Sequence, residues 1–74
     1  MEAKIYDFGA GHLDRYTIVI NGVDMYGASE NPFHPMGFGQ YLGNVPNDLS
    51  CLGKEIEYEN LNADVQRYVN YLIS

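Results

Sequence analysis

Tyr16–Ala28, YTIVINGVDMYGA, decides the fold of this chain. Its first five residues are β-branched or aromatic throughout, the strongest strand signal present. Asn21-Gly22 follows, the favoured pair for a two-residue type I′ hairpin turn. Val23 to Ala28 is then the returning strand. A two-residue loop pairs Ile20 with Val23, Ile18 with Met25 and Tyr16 with Gly27, which places Ile18, Ile20, Val23 and Met25 on one buried face. The other face carries Thr17, Val19, Asp24 and Tyr26. A three-residue loop would flip one strand, so the apolar split selects the two-residue turn.

Working outward, Lys4 to Phe8 reads as a short strand, broken by Gly9-Ala10-Gly11. Pro46 to Ser50 is turn-like. Lys54 to Glu59 alternates, with Ile56 and Tyr58 inward and Glu55, Glu57 and Glu59 outward, and reads as a strand with an acidic outer row. Asn60 and Asn62 are both helix N-cap residues. Leu61, Val65, Tyr68, Val69 and Leu72 then form one apolar stripe of an amphipathic helix. Asp64 suits the positive end of that helix and can pair with Arg67 one turn on. The expected fold is α+β: a small antiparallel sheet of three to four strands, with one C-terminal amphipathic helix packed on one face, in a single domain spanning residues 1–74.

Between the hairpin and the last strand lies Glu30–Gly43, ENPFHPMGFGQYLG. Five of its fourteen residues are Gly or Pro, which should end any regular element. It also carries Phe33, Met36, Phe38, Tyr41 and Leu42. Connecting loops are ordinarily polar and about 4–6 residues long. This one is either folded under the core or built to touch another molecule. Phe33, Phe38 and Leu42 suit core filling, while Phe33, His34, Met36 and Phe38 suit a pre-organised contact patch, because aromatics and Met are enriched at interface centres. His34, between Pro32 and Pro35, belongs to the stretch expected at the surface.

Ten acidic side chains against four basic ones give a net charge of −6. That disfavours direct contact with nucleic acid or an anionic membrane surface. It suits a partner with a basic surface, while the aromatic loop suits one with an apolar pocket. No apolar run approaches the roughly 20 residues of a membrane span. The alternation of charge and hydrophobe from Met1 to Phe8 is unlike a signal peptide. The chain reads as cytoplasmic, with Cys51 reduced and, between Leu49 and Leu52, behaving as a small buried hydrophobe.

Catalytic patterns are weak. Gly37, Gly39 and Gly43 have the wrong spacing and context for a dinucleotide loop. Cys51 with His12 or His34 lacks the short paired spacing of a zinc site and is no specific nucleophile–base signature. No catalytic residue, metal or cofactor is expected. Glu55, Glu57 and Glu59, extended by Asp24, could instead form a strip with near-phosphate spacing, since alternate strand residues lie about 6.6–6.8 Å apart.

The stretches DRYTIVI (Asp14–Ile20), YGASENPFHPMGFGQYLG (Tyr26–Gly43) and LGKEIEYENLNADVQRYV (Leu52–Val69) together resemble short uncharacterised proteins of bacteriophages and bacterial mobile elements. The resemblance covers most of the chain, and the Ser-Glu-Asn-Pro loop with its Gln-Tyr step is its most specific part. Where such sequences often carry proline at the helix start, this chain has Asn62. The resemblance brings no catalytic residues. It implies a phage-type setting, in the host cytoplasm, and a small acidic binder that blocks a host protein, such as a CRISPR or restriction component, by surface occlusion. The alternatives are an accessory or homo-oligomeric structural module and a nucleic-acid mimic. The partner-binding residues expected are Phe33, His34, Met36, Phe38, Asp24, Glu55, Glu57 and Glu59.

Overall fold

A computed structural model describes residues 2–74. It is α+β: five antiparallel strands and one C-terminal helix. The strands are β1 (Ala3–Asp7), β2 (Tyr16–Ile20), β3 (Asp24–Ala28), β4 (Gly39–Asn44) and β5 (Lys54–Ile56), and the helix is α1 (Ala63–Ile73). They form one sheet in the order β4-β3-β2-β1-β5. The sheet exceeds the three or four strands expected because Gly39–Asn44, read as irregular, pairs with β3. Glycine within a strand marks a bulge or the close approach of another group, and this strand has both. A bulge at Leu42, where β4 spends two residues opposite Tyr26, hides the alternation that would have marked the strand.

The hairpin forms where Asn21-Gly22 places it, but with a different register. Asn21 and Gly22 both have positive φ, at 55° and 71°, and the Val23 amide donates to the Ile20 carbonyl at 3.1 Å, closing the turn. Ile20 nevertheless pairs with Asp24, Ile18 with Tyr26 and Tyr16 with Ala28. Val23 is an extra loop residue, 58% exposed, whose carbonyl accepts from the Val45 amide beyond β4. The loop thus has three residues, and Met25 and Tyr26 exchange the sides expected for them. Side-chain parity does not select the register because β2 is buried along its whole length on both sides. With no polar face, β2 cannot fix its own register.

Two apolar clusters account for that burial. Ile5, Tyr16, Ile18, Ile20 and Ala28 share one with Leu61, Val65, Tyr68 and Val69, with Tyr26, Ile56 and Leu72 packed against it. Tyr6, Val19 and Leu52 form the other, joined by Met25, Val45 and Leu49. The second is covered by a 3-10 turn, Leu49–Leu52, capped by Asp48, whose carboxylate accepts from the Ser50 amide at 3.0 Å. Cys51 lies in this turn but is exposed, correcting the buried position expected of it; Leu52 takes the inward position.

The last strand is shorter than its alternation suggested. β5 ends at Ile56, and Tyr58–Asn60 is a 3-10 turn. The Tyr58 side chain points outward to Asn70 of α1, exchanging hydrogen bonds at 3.0–3.2 Å, while Gln66 donates to the Tyr58 carbonyl at 3.1 Å. Those bonds tie the turn to the side of the helix, so Tyr58 is not the inward strand residue expected. Asn62 is the N-cap, accepting from the Val65 amide at 2.9 Å. Asp64 reaches Arg67 at 3.3 Å.

Candidate functional site

Glu30–Phe38 is a closed loop. At its base, the Ser29 amide donates to the Phe38 carbonyl at 3.0 Å and the Phe38 amide donates to the Ser29 hydroxyl at 3.0 Å. At its tip, the His34 amide donates to the Asn31 carbonyl at 3.0 Å and the Gly37 amide to the His34 carbonyl at 2.8 Å. The His34 ring Nδ1 accepts from the Met36 amide at 3.0 Å, so this histidine shapes the tip. Two more bonds tether the first residue: Arg15 donates to the Glu30 carboxylate at 2.5 Å, and the Asn62 side-chain amide donates to the Glu30 carbonyl at 2.9 Å. A loop held at base, tip and start presents its side chains in a fixed arrangement.

Of the expected contact residues in the loop, His34 and Met36 are exposed, Met36 at 84%; Phe33 is half-exposed and Phe38 partly buried. Phe33 belongs to a longer aromatic series. Its ring meets Tyr68 edge-on, with centroids 6.1 Å apart, and the Arg67 guanidinium lies 4.9 Å above its centroid. Tyr68 lies so close to β4 that a Cβ at Gly39 would stand 2.6 Å from its ring. Tyr26 packs against the cluster that contains Tyr68, and meets Tyr41 edge-on at 5.2 Å. Tyr71 lies one helical turn beyond Arg67 and is 69% exposed. The pairs Phe33–Tyr68 and Tyr26–Tyr41, linked through the cluster that holds Tyr68, thus form a seam from the loop to β4, with Arg67 over Phe33 and Tyr71 one turn on along α1.

Two phenols of this seam, Tyr41 and Tyr68, are pushed further toward the neutral form. Tyr41 donates to the Asp24 carboxylate at 3.1 Å, and that bond raises its pKa. Burial is the main cause for Tyr68, reinforced by the neighbouring phenols of Tyr26 and Tyr71. Neutral phenols on rigid rings offer apolar area with a polar tip, which is the usual material of a protein-binding surface.

The acidic strip does not assemble as expected. Glu55 is on β5, Glu57 is the N-cap of the following turn and Glu59 lies within that turn; all three are exposed. The strand spacing behind the phosphate comparison ends at Ile56. Asp24 cannot extend the row, since β2 and β1 stand between β3 and β5. Its carboxylate belongs to the aromatic seam instead.

Cys51 donates to the Asp48 carbonyl at 3.1 Å, while His12 stacks on Phe8 and His34 serves the loop tip. Among the described residues there is no pocket, and no group of three or more His, Cys, Asp or Glu side chains could hold a metal ion. No described helix is long and apolar enough to cross a membrane.

Sequence reasoning found Phe33 but missed Tyr26, Tyr41, Tyr68 and Tyr71 as companions. Tyr68 read as part of the helix stripe and Tyr26 as part of a mixed strand face. The available signal was seven tyrosines in 74 residues, more than such a small core needs. No protein-family model, curated protein or solved structure matches this chain.

Proposed function

We propose that this chain is a non-catalytic protein-binding module, docking through Phe33, Met36, Tyr41, Arg67 and Tyr71. The phage-type setting implied by the resemblance makes a host protein the target and occlusion of its surface the mode of action. In this reading α1 packs on one face of the sheet, and the seam follows the border between α1 and β4. The observation that carries the reading is the seam itself: aromatic rings from a loop, two strands and a helix meet beside one sheet edge, with Phe33, Tyr41 and Tyr71 each at least half exposed. Aromatic and Arg side chains dominate the energetics of protein interfaces. Asp24, Glu55, Glu57 and Glu59 then contribute long-range attraction for a basic target, setting the association rate more than the affinity.

The test is capture from a bacterial host lysate by the tagged full chain, compared across variants. Phe33→Ala and Tyr71→Ala should each reduce retention of the captured protein by roughly tenfold or more, the effect of truncating an interface anchor. Leu13→Ala, an equally exposed apolar residue outside the seam, should not. The triple Gln variant of Glu55, Glu57 and Glu59 should bind more slowly at low salt yet still be retained. Retention by both aromatic variants, with loss in the triple variant, would transfer the site to the acidic side chains.

A further inference from the structure

We propose that the outer edge of β4 accepts an extended segment of the partner as a sixth strand, and that this segment carries a Lys or Arg that reaches over Tyr41 to Asp24. The inference rests on the protein-binding reading and specifies its mode. Among the described residues, no strand pairs with the outer side of β4. Phe38 and Val45, which flank the strand, are bonded to β3-side groups, so alternation turns the amides of Gly39 and Tyr41 outward. A bulge interrupts the edge at Leu42, leaving Gly39–Tyr41 as its regular part.

Sheet edges are usually guarded by charge, proline or a bulge, and the bulge of β4 lies beyond Gly39–Tyr41. Gly39–Asn44, GQYLGN, has neither charge nor proline, whereas β5 at the opposite edge carries Lys54 and Glu55 in three residues. The edge without charge or proline is also the one that borders the aromatic seam. Added strands gain affinity from main-chain bonds and specificity from side-chain contacts on alternate residues. Tyr41 supplies such a contact, since a cation over its ring is attracted by the ring face.

Charge selects the occupant. Asp24 brings a carboxylate to this edge; it accepts a hydrogen bond from the Tyr41 phenol and, among the described residues, forms no ion pair. The chain's own cations are engaged or elsewhere: Arg15 with Asp7 and Glu30, Arg67 over Phe33, Lys4 on β1 and Lys54 on β5. A second copy would bring another Asp24 and a further −6 of charge. A basic extended segment relieves that repulsion.

The experiment pans the full chain against a randomised library of peptides roughly twelve residues long, ample for strand addition. Enriched peptides should carry Lys or Arg flanked by apolar residues at alternate positions. Their binding should slow hydrogen exchange at the Gly39 and Tyr41 amides, and Asp24→Asn, which keeps an acceptor for Tyr41, should weaken it by roughly tenfold. Peptides that depend on Phe33 or Tyr71 but leave those amides exchanging as in the free protein would overturn strand addition and leave the binding surface standing. Protection of the same amides without peptide, rising with protein concentration, would make a second copy the occupant and overturn the basic segment. No enrichment, together with an empty lysate capture, would overturn both.

Discussion

The side chain of Asn62 joins α1 to the aromatic loop: its oxygen accepts from the Val65 amide at 2.9 Å, and its nitrogen donates to the Glu30 carbonyl at 2.9 Å. One residue therefore caps the start of the helix and fixes the start of the loop. The two roles separate by substitution. Asn62→Asp keeps the capping oxygen and should leave α1 intact. It loses the donor to Glu30, so the His34 and Gly37 amides should exchange faster while the Val69 amide does not. Asn62→Ala loses both roles and should cost about 1 kcal/mol as a cap alone. Unchanged protection at His34 and Gly37 in Asn62→Asp would show that the tether does not hold the loop.

The hairpin register predicts a contrast between two aliphatic residues. Ile18 is fully buried, and Ile18→Ala should cost roughly 2–5 kcal/mol in a denaturant titration. Val23, expected from a two-residue turn to be core, is a loop residue at 58% exposure. Val23→Ala should stay within about 0.5 kcal/mol of the parent. A large loss at Val23 would restore the shorter turn.

What was legible in the sequence follows from which residues carry their own signal. Asn21-Gly22 marked the turn because both positions take positive φ. Val65, Tyr68 and Val69 marked the helix because one side of α1 is buried and the other is not. Register was not legible, since Ile18 and Val19 are both buried on opposite sides of β2. Neither was β4, where glycines and the extra Leu42 obscure the period. The site was half legible: Phe33 and Met36 stood out in a loop, but Tyr26, Tyr41 and Tyr68 come together only through strand order and helix placement.

Acid should act through Asp7. Arg15 donates to both carboxylate oxygens, at 2.8 and 3.0 Å, and this holds the Asp7 carboxyl below its ordinary value of 3.8 against the opposing effect of burial. A carboxyl with a lowered folded-state pKa stabilises fully above that ordinary, unfolded value. That contribution fades as pH falls through the depressed folded value. Arg15→Met should therefore destabilise at about pH 7 and reduce the further loss on going to about pH 3. Urea midpoints at the two pH values measure it. An identical acid-induced loss in wild type and Arg15→Met would remove this pair from the acid response.

Gly39 sets how closely β4 and α1 approach, and it is the most direct handle on the seam. A Cβ there would lie 2.6 Å from the Tyr68 ring, well inside contact distance. The ring has little freedom to retreat, being 7% exposed and set edge-on against Phe33. Gly39→Ala must therefore displace Tyr68, and with it Phe33 and the Arg67 guanidinium stacked above Phe33. Forcing one methyl into such a contact costs typically about 1–3 kcal/mol. Gln40→Ala, at the adjacent exposed position, should stay within about 0.5 kcal/mol of the parent. The Tyr68 ring proton resonances report the displacement, because the Phe33 ring current falls off steeply with distance and angle. Gly39→Ala should shift those resonances and weaken partner capture in step with Phe33→Ala. Wild-type stability with unmoved Tyr68 resonances would mean that β4 and the helix do not meet through this ring, and the seam would lose the residue that joins its two halves.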